Sequence, residues 1–272
     1  MQKLAEPSLA GIEEYLLDVL GDDPANSRPT KYIEALEGIG INGIRQLIVI
    51  LLENGIPKEM IESSYFHPNK FFKLGICRLS NRVKLRMHFW DKDHLEVQTP
   101  VHSHAWDFAS MLICGSYVHN IFRVTDLDED ALALIEKYKN SNSILKIGSV
   151  ESVPDNYLGK YKIPKRDVSL GKFQPQWEKY VKAERISSKI ERQGSVYFLG
   201  MEFPHQIKID LKEVGSMITL VLTSETDRDN VFTFQPITQP KKFDNPSPNV
   251  DGAMVKLQLE RILSEINKIS ND

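Results

Sequence analysis

The run Thr99-Pro100-Val101-His102-Ser103-His104-Ala105-Trp106-Asp107-Phe108 holds two histidines one residue apart. On a β-strand, residues two apart share a face, so His102 and His104 would present two imidazoles to one space. Imidazole nitrogen suits borderline ions such as iron(II), nickel, copper and zinc. A catalytic metal centre wants three protein ligands with positions left open. A second passage, Gly194-Ser195-Val196-Tyr197-Phe198-Leu199-Gly200-Met201-Glu202-Phe203-Pro204-His205, reads as a strand, a tight turn allowed by Gly200 and a histidine opening the next strand. That order could carry His205 across a barrel to the first pair. Two surface histidines on an edge strand have the same spacing, so spacing alone leaves the metal site and the incidental pair both open.

The neighbours of these histidines divide by strand alternation. Trp106 and Phe108 share the face of His102 and His104, where they would line a small-molecule pocket or fill a core. Asp107, the nearest carboxylate, falls on the other face. Glu202, in the turn before His205, is a candidate base or imidazole partner, or else a solvated turn residue. Arg86 and His88 oppose Val83, Leu85, Met87 and Phe89, so if the apolar face lines the barrel they point outward to solvent or to a helical layer. His119, four residues after Gly115, could face either side and reads as an exposed or core residue rather than a ligand, and His67 and His94 sit in apparent loops.

The elements that would position these residues follow from periodicity. Glu13 to Leu20, Lys31 to Leu36 and Ile44 to Glu53 read as helices stopped by Gly21, Gly38 and Gly55, with a short helix Lys58 to Ser63 after Pro57. Strand patterns follow at Phe71 to Leu79, Arg82 to Trp90, Trp106 to Cys114 and Tyr117 to Val124, and return at Ser195 to Leu199, Gln206 to Leu211 and Ser216 to Thr223. Between them, about 125–193 is polar and reads as an insertion, lid or binding loop with one helix from Glu129 to Tyr138. Its basic residues Lys179, Lys182 and Arg185 alternate with Glu178, Glu184 and Glu191 around Trp177 and Tyr180, the pattern of a charge-balanced solvated face. Pro236, Pro240, Pro246 and Pro248 mark a surface linker, and Gly252 to Ile269 is an amphipathic helix. Its seam of Val255, Leu259, Ile262, Ile266 and Ile269 suits packing on its own domain, with a dimer zipper as the alternative. The expected division is 1–64 helical, 65–235 barrel and 236–272 linker and helix.

Composition excludes several classes. With 272 residues, 41% of them hydrophobic, the chain can bury a large core. Thirty-four basic against 37 acidic residues give a net charge of −3, which offers no global field for nucleic acid or anionic lipid. Two cysteines, Cys77 and Cys114, make neither a disulfide framework nor a thiolate zinc site. The longest apolar run, Leu47 to Leu52, falls far short of the ~20 residues of a membrane span. The expectation is a cytoplasmic protein whose partners are a small-molecule substrate and, at most, a second copy in a homodimer, with no nucleic acid and no membrane.

The two histidine passages resemble the paired motifs of the cupin superfamily. In the first motif a His-x-His is followed by a glutamate and then a glycine; His102, His104 and Gly115 match, and Phe108 stands at the glutamate. In the second, Gly194 and His205 match, while Gly200 replaces a proline and Glu202 a glycine. Glu96 and Ile209 stand at the outer glycine and asparagine positions. The resemblance implies a mainly β fold, a cupin-type jelly-roll β-barrel with a helical N-terminal region and a C-terminal helix. With the glutamate lost, it implies a three-histidine metal set of His102, His104 and His205, similar to the cysteine (thiol) dioxygenase branch, which also begins with helices. Where that branch has a substrate-carboxylate arginine, an ungapped count from Trp90 gives Lys73, with Arg78 the nearest arginine; its catalytic tyrosine has no counterpart in Ser216 to Thr223. The implied function is a mononuclear non-haem iron(II) oxygenase or dioxygenase, with nickel, manganese or zinc as other ions. The alternatives are a metal-dependent isomerase or hydrolase using Glu202 as base, and a non-catalytic small-molecule-binding cupin.

Overall fold

A computed structural model describes residues 3–21, 28–79, 83–92, 96–142, 153–224 and 231–269. His94, and Arg82 at the start of one expected strand, lie outside these residues. The chain opens with α1 (Leu9–Leu20), α2 (Pro29–Asn54) and α3 (Lys58–Glu62). Ser8 caps α1 by accepting from the Gly11 N–H, and Gly21, at φ 80°, ends it. The expected stop at Gly38 is passed. The chain continues in helical register to Gly40, whose φ of 60° kinks α2 before it resumes as one 26-residue element. By length and composition α2 could cross a membrane, yet 50% of its most apolar window is buried within this protein.

Two antiparallel sheets follow. The first takes β1 (Tyr65–His67), β2 (Phe71–Arg78), β3 (Lys84–Trp90), β6 (Phe108–Cys114), β11 (Val196–Leu199) and β13 (Met217–Thr223), in the order β1-β2-β3-β13-β6-β11. The second takes β4 (Glu96–Gln98), β5 (Val101–His102), β7 (Ser116–Asp126), β8 (Tyr157–Ile163), β10 (Gln176–Arg192), β12 (His205–Asp210) and β14 (Val231–Pro236), in the order β4-β12-β5-β14-β8-β10-β7, with β12 also paired to β7. The molecule is mainly β, with helices at both ends of the chain, as the sequence pattern implies. The α4 helix (Glu129–Asn142) and the short α5 (Leu211–Val214) connect strands, and β9 (Lys172–Phe173) pairs with β15 (Asn245–Pro246).

The first sheet turns its most apolar face away from the second. Phe72, Leu74 and Ile76 of β2, Leu85, Met87 and Phe89 of β3, and Ile218, Leu220 and Leu222 of β13 pack with Ile12 and Leu16 of α1, Leu47 and Ile48 of α2, and Leu259 and Ile262 of α6 (Gly252–Ile269). This corrects the expectation for Arg86 and His88. The apolar face belongs to the helices, so strand alternation drives both side chains into the space between the sheets, where Arg86 is buried. The seam of α6 is likewise spent within its own chain, with Val255, Leu259, Ile262 and Ile266 fully covered.

Among the described residues, the polar stretch read as a loop or lid holds the expected helix as α4 and is otherwise largely strand. Seventeen-residue β10 pairs with β7 from Val181 to Arg192 and with β8 from Gln176 to Lys182, and β8 pairs with β14. Its charges alternate in sequence because most of it has solvent on its outer side. Lys179 pairs with Asp126 at 2.6 Å and Lys182 with Glu184 at 2.5 Å, while Trp177 and Tyr180 turn inward beside Ile135 and Ile237. Nor is the proline-marked segment a free linker: Ser247 is fully buried, the Phe66 N–H donates to the Pro248 carbonyl, and Arg166 donates to Ser247 and Asn249.

Truncating Ile262 to Ala is expected to cost about 2–4 kcal/mol in denaturant unfolding, because it empties a closed site between helix and sheet. Ile186→Ser, on the exposed part of β10, is expected to stay within about 0.5 kcal/mol. Equal effects would contradict the layer assignment.

Candidate metal centre

The three histidines meet between the sheets. His205 opens β12 directly opposite His102 of β5, and their ring centroids lie 4.6 Å apart. His104 lies past the end of β5 rather than on it, yet its ring centroid comes within 4.9 Å of His102 and 5.1 Å of His205. One ligand atom from each of the three falls within 4.8 Å of the others.

Local bonds fix this convergence. Pro100 has no N–H, so the junction of β4 and β5 is held by its neighbour: the Thr99 N–H donates to the Ile207 carbonyl at 3.0 Å, and Thr99 Oγ1 accepts the Ile207 N–H at 3.0 Å. The Pro100 carbonyl lies 2.9 Å from His102 Nδ1. Only a protonated Nδ1 can make that bond, which leaves the Nε2 lone pair for a ligand role. Ser103 bonds Phe232 twice, through its N–H at 2.9 Å and its Oγ at 3.2 Å, and so holds the single residue between the histidines against β14.

Asp107 is not positioned as a ligand. Its Oδ1 accepts the Met201 N–H at 2.8 Å, its own N–H donates to Ser224 Oγ at 3.0 Å, and its carbonyl accepts the Ser224 N–H at 2.8 Å. The carboxylate that follows the histidine pair therefore anchors the turn that delivers His205. Glu202 is exposed on that turn. Among the described residues no hydrogen bond joins it to an imidazole; its carboxylate covers Gly200 so closely that a Cβ there would collide with it. Gly200 does not have the positive φ that favours glycine, so the turn does not require it for a backbone angle.

His119, left without a role by the sequence, is buried on β7, and its Nε2 lies 2.9 Å from His205 Nδ1. Ile207 pairs with His119 and His205 with Ile121, so the two histidines are diagonal neighbours on one face. If His205 Nδ1 carries the proton, His119 accepts it and the Nε2 lone pair of His205 faces the pocket. That Nε2 lies 3.0 Å from His104 Nε2. Two lone pairs at this separation repel unless a proton or a cation lies between them. Two nitrogens bound to one ion at about 2.1 Å in perpendicular directions also stand about 3 Å apart. Three neutral imidazoles, two of them with a hydrogen-bond partner behind Nδ1, therefore fit a borderline divalent ion. Burial lowers the pKa of His102, and those of His104 and His205 much further, so all three are neutral and ready to bind at pH 7.

Phe108 is buried with its ring 5.0 Å from that of His104, and Trp106 is half-buried at 5.7 Å. His205 is closed off, whereas His102, His104 and Trp106 keep some accessible surface. The guanidinium of Arg86 lies over Trp106, 4.9 Å from the ring centroid. His67, expected in a loop, is on β1 and stacks on Phe71 at 4.3 Å, with His88 tilted over the same ring at 4.4 Å. Beyond His119, whose ring is 4.7 Å from that of Tyr197, Tyr117 donates to Tyr197 Oη at 2.8 Å. A separate crevice of about 910 Å³ opens on the other face of the second sheet beside Val101, Phe122 and Phe234, so it is not the space the imidazoles face.

No family model and no curated protein matches the chain. Solved structures similar to it include a cupin-superfamily protein from Desulfitobacterium hafniense DCB-2, at 8% identity over 58% of this chain and 79% of that one, TM-score 0.28. An oxalate oxidase matches at 12% identity over 71% and 73% of the two chains, TM-score 0.31. Hydroquinone 1,2-dioxygenase from Sphingomonas sp. TTNP3 matches at 10% identity over 56% and 64%, TM-score 0.28, so the match spans under two thirds of that enzyme. Likenesses this distant carry no argument about chemistry, which rests on the imidazoles of this chain.

Two outcomes follow. Asp107→Ala frees the turn before His205 and is expected to cost about 1–2 kcal/mol of stability and to weaken metal binding measured by competition with a chelator; unchanged affinity would remove Asp107 from the positioning role. The buried histidines also set an acid limit. Burial lowers His119 to about 4 and holds His67, His88, His104 and His205 well below 6.5. The unfolded chain therefore binds more protons, so stability is intact above pH 6.5 and is lost as pH falls toward 4. Thermal melts between pH 7.5 and 4 are expected to show a steep fall in Tm over that interval, and a flat profile would contradict neutral burial.

Proposed function

We propose that the chain is a mononuclear non-haem iron enzyme of the three-histidine cupin kind, an oxygenase acting on a small molecule, with iron(II) held by His102, His104 and His205. The observation that carries this reading is the convergence of three imidazole nitrogens, with His102 oriented from behind by Pro100 and His205 by His119. The helices ahead of the barrel, and the absence of any acidic group among the three ligands, favour the thiol dioxygenase branch as the source of its chemistry. Nickel, manganese and zinc remain the competing ions for this donor set.

When bound, the ion would supply the redox step and an open coordination position for dioxygen and substrate. The protein supplies the rest. His102 and His205 hold their Nδ1 protons on the Pro100 carbonyl and on His119, which keeps the Nε2 lone pairs aimed at one point. Phe108 closes the apolar wall behind His104 and His205 and limits water there, and Trp106 forms the more open wall along which a substrate would lie. An isomerase or hydrolase on the same barrel needs a general base near the imidazoles, a role for which exposed Glu202 is poorly placed. We read the protein as cytoplasmic, with Cys77 and Cys114 reduced, and any homodimer as formed through a surface other than α6.

The test is metal analysis of protein purified without added ions, followed by oxygen uptake after anaerobic iron(II) loading. One ion per chain is expected in the wild type, with at least a tenfold loss of affinity in His102→Ala and His205→Ala, about 1.4 kcal/mol or more. Stoichiometric metal in both variants would refute the triad. Substrate-dependent oxygen uptake over a panel of thiols, organic acids and diketones supports the oxygenase, whereas metal-dependent turnover without oxygen uptake assigns the isomerase or hydrolase.

A further inference from the structure

Six strands of the second sheet close on themselves. β5 pairs with β14, β14 with β8, β8 with β10, β10 with β7, β7 with β12, and β12 again with β5. The register keeps one set of side chains on one side all the way round: Val101 opposite Phe234, Leu158 opposite Val181, Val124 opposite Ala183, and Asn120 opposite Gln206. That side faces away from the imidazoles, because Val101 and Gln206 alternate with His102 and His205 on the same two strands. Val101, Val181 and Phe234 are buried there and pack with Phe122, Val124, Leu158 and Phe232. The ring is therefore a second, smaller barrel that shares β5, β7 and β12 with the metal centre. The crevice of about 910 Å³ is its mouth, lined by Val101, Phe122, Leu158, Ala183, Gln206 and Phe234, one from each of the six strands.

Mouths of β-barrels are recurrent sites for small molecules, and this one has the room and the apolar walls they need. Two amides mark what kind. Asn120 is 6% exposed; its Nδ2 donates to Gln206 Oε1 at 3.4 Å, and its Oδ1 has no partner. A buried acceptor left unmade costs stability unless a donor reaches it. Gln206 gives its oxygen to Asn120, which leaves its NH2 for the crevice it lines. An acceptor beside a donor matches a ligand edge with an N–H next to a C=O, as in a primary carboxamide or a lactam. The charges at the rim, Asp155, Glu184 and Arg185, are of both signs, and Glu184 is taken up by Lys182 at 2.5 Å. Nothing buried in the crevice therefore answers a charged ligand. We propose that this mouth is a second binding site, for an uncharged planar ligand whose ring lies against Phe122 and Phe234 and whose carboxamide or lactam edge meets Asn120 and Gln206. The site stands apart from the imidazoles and does not depend on the metal reading.

The experiment is ligand-detected NMR on chelator-treated full-length protein with three probes of one shape: benzamide, acetophenone, which lacks the N–H donor, and benzoate, which adds a charge. Benzamide is expected to bind about tenfold or more tightly than either of the others. Asn120→Leu is expected to abolish that preference, so that benzamide and acetophenone bind alike, while Tm is held or raised because the acceptor removed had no partner. Should Asn120→Leu fail to fold, Gln206→Leu, at a half-buried position on the crevice wall, is expected to weaken benzamide by about tenfold. Benzamide affinity is expected to be the same after zinc(II) loading. Equal binding of benzamide and acetophenone by the wild type, or of benzamide and benzoate, would overturn the proposal. So would an undiminished preference for benzamide in folded Asn120→Leu or Gln206→Leu. Competition between benzamide and zinc(II) would place the probe at the imidazoles and overturn the second site, whereas benzamide selectivity in a chain that binds no metal would refute the metal centre and leave this site standing.

Discussion

Leu85, Met87 and Phe89 on β3, with their neighbours on β2 and β13, are committed to the helices α1, α2 and α6. Each such side chain contributes roughly 1.5–3 kcal/mol when fully buried, so the set of them together outweighs the roughly 1–3 kcal/mol that one unsatisfied polar atom costs on the opposite face. The pleat leaves no choice for the residues between them. Arg86 and His88 must face the second sheet, and the interior that results is mixed, with Ser110, Thr219 and Thr223 buried alongside the histidines and apolar groups such as Leu112, Met217, Phe108 and Val221 around them. A site for charged chemistry exists inside this barrel because the hydrophobic demand of the first sheet is met outside it.

Within that interior the second sheet does the positioning. Register puts His205 opposite His102 and one diagonal step from His119, while Asp107 ties the turn before His205 to the bend after His104. The arrangement uses its backbone and side-chain donors for orientation and leaves the Nε2 atoms of His104 and His205 3.0 Å apart, a separation that calls for a proton or a cation between them.

Much of this was legible in the sequence. The spacing of His102 and His104, the turn before His205 and the strand alternation of β2, β3, β6, β7, β12 and β13 carried the site and half the barrel. What alternation could not reveal was direction: β3 has two faces that both end up buried, and only the presence of a helical cover decides which is the interior. β10 was missed because a strand with solvent along much of its outer side needs no hydrophobic period, so its Lys and Glu residues looked like loop. Gly38 looked like a helix stop, yet the break fell at Gly40, where a backbone angle rather than residue type decides. His119 did leave a signal, since it alternates with Tyr117 and Ile121 after the turn at Gly115; it was passed over because one histidine on a strand has no partner until the sheets are folded together.

The central claim is that three imidazoles, and no other group among the described residues, define one metal position. Anomalous diffraction at the absorption edge of iron, from crystals of anaerobically iron(II)-loaded protein, tests it directly. The account predicts one dominant peak within bonding distance of His102, His104 and His205, with His119 held back at His205 Nδ1. A dominant peak ligated by His119, by Glu202 or by a group elsewhere in the molecule would contradict it.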